Sequence, residues 1–176
     1  MKIYLVAGRA GSGKGEVAKI IKEHYLSKKM KPIITEYSKY LKLYANEILG
    51  WNGEEPKPRK FLQELGVTIK ENMDMPKMLV NRMIEDIKVY SLYYDVVIIS
   101  DVRFPEEIEE MKKTFKDVYS IYVVNQFGQS ELSLQEQTHV TETALENYSN
   151  FDVTITNDNI NVLDNRVIDF IERVDN

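Results

Sequence analysis

Cysteine is absent from the 176 residues, and histidine occurs only at His24 and His139. A disulfide framework and a thiolate metal site are thereby excluded, and two imidazoles are too few for a structural zinc. Glycine is scarce, with 8 in the chain, and proline scarcer, with 5, so neither a collagen-like nor a low-complexity chain fits. No apolar run approaches the roughly 18 residues of a membrane span, and the first residues lack the charge, apolar stretch and cleavage site of a signal peptide. A cytoplasmic protein without a membrane partner is expected. Positive charge is short as well: 23 Lys and Arg against 28 Asp and Glu leave a net charge of −5, the wrong sign for a protein that lives on long nucleic acid. The remainder, 43% hydrophobic and 29% charged, is ordinary globular composition at about one domain's length, so a single domain over residues 1–176 is expected.

Hydrophobic spacing then divides the chain. Ile3 to Ala7 is a short apolar run ending at Gly8, and a helical period from Lys14 carries Val17, Ile20, Ile21 and Tyr25, so strand, glycine-rich turn and helix follow one another. Ile33 to Thr35 reads as a second strand. Tyr37 to Leu49, Lys60 to Glu71 and Met78 to Tyr94 read as helices, with Pro76 between the last two. Val96 to Ile99, four β-branched residues ending abruptly in Ser100-Asp101, has the pattern of a central parallel strand. Pro105 opens a helix, Tyr119 to Val124 and Val153 to Thr156 are strands, and Ile160 to Val174 closes the chain as an amphipathic helix. Residues 125–137 are polar with no period, the pattern of a functional flap. Strands alternating with helices predict a parallel sheet covered on both faces, with ligands beyond the carboxyl ends of its strands.

Four of the 8 glycines, Gly8, Gly11, Gly13 and Gly15, crowd into the first such turn. Gly8-Arg9-Ala10-Gly11-Ser12-Gly13-Lys14 has P-loop spacing, in which backbone N–H groups wrap a phosphate at a helix amino terminus and the lysine reaches the outer phosphates. The donor-binding residues predicted for ATP are Gly8 through Gly15, Glu16 and, on a last strand placed beside the P-loop strand, Asn157 in the Thr156–Asn159 turn. Gly15 stands where many P-loops put a magnesium-binding hydroxyl, so Mg2+ is expected to ride on phosphates and water. Asp101, after the buried strand, reads as a water-mediated metal ligand, or alternatively as a cap on the helix that follows. Of six arginines, Arg9, Arg59, Arg82 and Arg103 fall near site elements and suit phosphate oxygens. The residues after the second strand, Ser38 and Lys39, are acceptor candidates with Gln63. Tyr44 and Trp51 are further groups able to stack on a base. His139 either contacts a phosphate or fixes its loop.

Lys57-Pro58-Arg59-Lys60-Phe61-Leu62-Gln63-Glu64-Leu65-Gly66, Asp101-Val102-Arg103-Phe104-Pro105 and His139-Val140-Thr141-Glu142, following the P-loop in this order, resemble the phage-type deoxynucleoside monophosphate kinases over nearly the whole chain. The resemblance implies an α/β three-layer P-loop kinase fold with a five-stranded parallel sheet, an acceptor-binding helical region at about 37–94 and a lid at about 125–141. It implies phosphoryl transfer from ATP to a (deoxy)nucleoside monophosphate, with Mg2+, by a monomer or homodimer. Lys14, Asp101 and Arg103 would be catalytic; Ser38, Lys39, Arg59, Gln63, Lys70, Arg103, His139 and Glu142 would hold the acceptor. P-loop kinases of phosphomevalonate are similar, and a P-loop protein that binds nucleotide without transfer remains an alternative. Two departures stand out: residues 125–165 contain no arginine, and Lys70 stands where the family often has arginine.

Overall fold

The computed structural model describes residues 1–125 and 138–175. Five parallel strands form one sheet in the order β2-β3-β1-β4-β5, with β1 Lys2–Ala7, β2 Pro32–Thr35, β3 Val96–Val102, β4 Val118–Asn125 and β5 Val153–Asn157. The helices are α1 Lys14–Ser27, α2 Ser38–Leu49, α3 Arg59–Val67, α4 Met78–Tyr90, α5 Pro105–Thr114, α6 Val140–Thr143 and α7 Ile160–Asp175. A wider turn of π type at Thr68–Asn72 prolongs α3.

Alternation along the buried strands sends side chains to two cores. Tyr4, Val6, Ile98, Ile121 and Ile155 meet Val17 and Ile21 of α1 and Leu163, Val167 and Phe170 of α7. On the other face Ile3, Leu5, Val97 and Ile99 meet Tyr40 of α2, Met83 and Ile87 of α4 and Ile108 and Met111 of α5. The chain therefore leaves β1 toward one face and the neighbouring β3 toward the other. A crevice opens at the carboxyl ends of these two strands.

Three expectations need correction. The third strand does not stop at Ile99 but runs on to Val102, because its pairing with β1 slips between Leu5 and Ala7. The extra residue lies in the Ser100–Asp101 stretch, a bulge that re-aims a polar side chain without ending the ladder. Nor does β5 lie beside β1: β4 pairs with both and separates them. The helix expected to run to Tyr94 ends at Tyr90.

Candidate active site

The loop between β1 and α1 closes around glycines for steric reasons. A Cβ on Gly8 would come within 2.5 Å of the Val123 carbonyl oxygen, and Gly13, the cap of α1, holds φ at 97° with the Asn157 amide against it. A side chain at either position would push the loop off the strands beneath it. Those strands grip the loop in return. Asn125 Nδ2, at the end of β4, donates to the Gly11 carbonyl at 3.2 Å, and Asn157 Nδ2, its register partner on β5, donates to the Ser12 carbonyl at 3.1 Å.

Lys14 folds back into this loop and is nearly buried, its Nζ donating to the Gly8 and Arg9 carbonyls at 2.8 and 2.7 Å. Burial, helped by the Arg103 charge, pulls its ammonium down to about 7. Arg103 donates from Nη1 to Glu142 Oε1 at 2.7 Å and to the Gly8 and Thr141 carbonyls at 3.3 and 3.4 Å. The other oxygen of Glu142 accepts the Ala10 N–H at 2.7 Å.

Asp101 faces a different element from the one its sequence position suggests. Its two oxygens accept the backbone N–H groups of Tyr37 and Ser38 at 2.7 and 2.9 Å, so it holds the entry to α2 and not the start of α5. Burial pushes its carboxyl up, while the bonds from Ser38 and Tyr37 pull the other way. The start of α5 is held instead by Glu107, one oxygen of which accepts the N–H groups of Arg103 and Phe104 at 2.7 and 3.0 Å. Burial drives the Glu107 carboxyl up to about 8.

A cavity of about 480 Å³ joins these groups to the helical region. It is lined by Ala10, Gly11 and Lys14 of the P-loop, by Ser38, Asp101, Arg103 and Glu142, and by Arg59, Gln63 and Lys70 of the helical region, with Leu62, Val67 and Leu79 among its apolar residues. Lys70 is paired with Glu106 and lies over the Phe104 ring, 3.8 Å from its centroid. Glu36, Lys57, Glu71, Glu106 and Glu107 line the cavity too, and the sequence reading gave none of them a site role, although Glu36 lies in the segment after the second strand that it marked. Lys57 had a signal, since it opens the basic segment that contains Arg59.

Other predicted site residues lie elsewhere. Lys39 does not reach the cavity: it pairs with Asp86 and donates to Tyr90 Oη at 2.8 Å between α2 and α4. Arg82 packs in the same cluster, over the rings of Tyr40 and Tyr44. Trp51 donates within its own loop, to the Glu54 carbonyl at 2.6 Å. His139 caps α6, its Nδ1 accepting the Thr141 N–H at 3.3 Å, which favours the loop-fixing reading. Arg9 pairs with Glu146 at the surface, and Glu16 with Lys19 at 3.2 Å. Of the predicted lid, residues 126–137 lie outside the described residues.

Among the described residues no three acids or histidines cluster as a metal site. The donor set suits a magnesium ion that arrives on phosphates and water: the Asp101 carboxylate accepts the two N–H groups and the Ser38 hydroxyl, and with four lone-pair sites has capacity for one metal-bound water. No helix among the described residues is long and apolar enough to cross a membrane.

The chain is similar in structure to the APS kinase CysC of Mycobacterium tuberculosis solved in complex with AMPPNP and APS, with a TM-score of 0.53 at 15% identity over 97% of each chain. It is similar also to shikimate kinase from Aquifex aeolicus, with a TM-score of 0.52 at 17% identity over 98% of this chain and 96% of that one. These likenesses establish the P-loop kinase fold. A comparison with curated protein sequences finds no match. The family model of deoxynucleotide monophosphate kinases matches residues 35–167, a span that begins beyond the P-loop and takes in the helical region, Asp101 to Pro105 and Glu142. Since that match covers well over half of a chain whose P-loop completes the site, the protein belongs to the deoxynucleotide monophosphate kinase family.

Proposed function

We propose that this kinase holds ATP in the Gly8–Glu16 loop and a deoxynucleoside monophosphate in the part of the cavity lined by the helical region, with Arg59 and Arg103 on the acceptor phosphate. The observation that carries this is the single cavity shared by Lys14 and Arg59. Its volume lies in the range of small-molecule sites, roughly 300–1,000 Å³. Gln63 and the apolar residues of the cavity would take the base, and Ser38 would stand between the two phosphates.

An oxygen of the acceptor's phosphate attacks the γ phosphorus of ATP, the bond from that phosphorus to the β–γ bridging oxygen breaks, and ADP leaves as the new diphosphate forms. The attacking oxygen is already an anion, so no general base is required. This agrees with Asp101 and Glu107 being committed to backbone N–H groups. The chain's task is positioning and charge neutralisation: Lys14 turns from the loop carbonyls to the outer phosphates, and Arg103 spans donor and acceptor. Mg2+, when bound with ATP, would offset charge on the β and γ phosphates, with Asp101 ordering one of its waters. One domain with its acceptor region at 37–94 and its lid at 125–141, working as monomer or homodimer in the cytoplasm, completes the reading.

The test is ADP release in a coupled assay with a panel of monophosphates. Stimulation above the ATP-only rate by at least one deoxynucleoside monophosphate is expected. Stimulation by phosphomevalonate or another small phosphate alone would overturn the acceptor assignment.

A further inference from the structure

The carboxylate of Glu142 sits where a kinase needs an empty place. Its side chain is 6% exposed, and a carboxylate that deep must be fully supplied with donors. Two supply it: the Ala10 N–H of the P-loop and the Arg103 guanidinium, each at 2.7 Å. Both are donors of the kind that bind phosphate oxygens. Ala10 precedes the Gly11–Gly15 turn that opens α1, and Ala10, Lys14, Arg103 and Glu142 all line the same cavity. The carboxylate therefore takes up two donors that a phosphate bound in this cavity would claim.

We propose that Glu142 is a specificity-determining residue of the donor site, an internal anion that stands in for the γ phosphate when the loop is empty or holds ADP. The inference rests on the nucleotide reading of the P-loop given above. The single Ala10 N–H cannot serve two anions, and a phosphate brought to the same Nη1 group of Arg103 would stand against the carboxylate's like charge. ATP must displace Glu142 to seat its third phosphate, whereas ADP leaves the carboxylate where it is. Displacement frees Arg103 for the transferring group at the moment ATP is in place. After transfer Glu142 returns to both donors, so the ADP complex is closed against a second phosphate.

Calorimetric titration of the purified protein with MgATP and MgADP separates the two states. E142Q removes the competing charge and should tighten ATP binding about tenfold, ~1.4 kcal/mol, relative to ADP. E142D keeps the charge but withdraws it from Ala10 by one methylene, and should move the ratio the same way by less; it serves as the second variant if E142Q loses its cooperative melt. An unchanged ratio of ATP to ADP affinity in the folded variants, or a weaker one, overturns the proposal. Failure of every monophosphate to stimulate ADP release by the unaltered protein, with the ratio still shifted in the variants, would instead count against the acceptor assignment alone.

Discussion

Lys14 should take up a proton when ATP binds. In the empty loop its ammonium is buried beside the Arg103 charge and is pulled from 10.5 to about 7. Phosphate oxygens replace the Gly8 and Arg9 carbonyls as its partners and favour the charged form, restoring the pKa toward or above its ordinary value. At pH 8 the free lysine is roughly one-tenth protonated and the bound one nearly fully so, an uptake of ~0.9 proton per ATP; at pH 6 the uptake falls to ~0.1. ATP affinity should correspondingly drop about tenfold per pH unit above 7, since binding must first charge the amine. Calorimetry at pH 6 and 8 in two buffers of different ionisation heat measures the uptake directly. Lys14→Met should abolish both the uptake and the turnover. An uptake at pH 8 no larger than at pH 6 would refute the claim that burial holds this lysine half neutral.

Glu107 is the opposite case: its carboxyl is raised from 4.5 to about 8, so the folded state holds a proton that the unfolded state has lost between those values. Its contribution to stability is present below pH 4.5 and declines as pH rises through 8, an upper bound of about 4–5 kcal/mol. Urea denaturation should show E107Q gaining on the parent protein from pH 5 to 8, and a constant difference would sink this. Asp101→Asn leaves one of the Tyr37 and Ser38 N–H groups without its acceptor and should cost ~1–3 kcal/mol; it should also raise the Mg2+ concentration needed for half-maximal rate, and a stability loss alone would assign Asp101 to the entry of α2 and nothing more. Arg59→Ala should raise the acceptor's KM at least tenfold with little change in that for ATP, and equal effects on both would remove Arg59 from the acceptor phosphate.

The sheet and its P-loop were legible because their signals are local. A run such as Val96 to Ile99 can be satisfied only by burial on two faces, and four glycines between a strand and a helix leave few conformations open. What escaped reading depends on contacts distant in sequence. Nothing near Asp101 says that its oxygens will meet the N–H groups of Tyr37 and Ser38, 64 and 63 residues away. The bulge that aims it arises from the register between β3 and β1. Lys39 looked like a site residue because it follows a strand end, yet Asp86 and Tyr90 on α4 claim its ammonium. Burial of Lys14 and Glu107 is likewise a property of the assembled layers, invisible to any window of sequence.

Asn125 and Asn157 end neighbouring strands in register and each takes hold of one P-loop carbonyl. A peptide plane whose oxygen is tethered from behind presents its hydrogen on the opposite side: the Asn157 bond fixes the plane that carries the Gly13 N–H, and the Asn125 bond fixes the plane whose Ser12 N–H closes the turn onto the Arg9 carbonyl at 3.2 Å, so both planes are set before any nucleotide arrives. The orientational entropy of that cradle is lost once, when the sheet forms, and not again at each turnover. The outer edge of the sheet thereby governs chemistry it never touches: shortening either asparagine would leave the core intact and return the loop to a state in which every incoming phosphate must organise its own binding site.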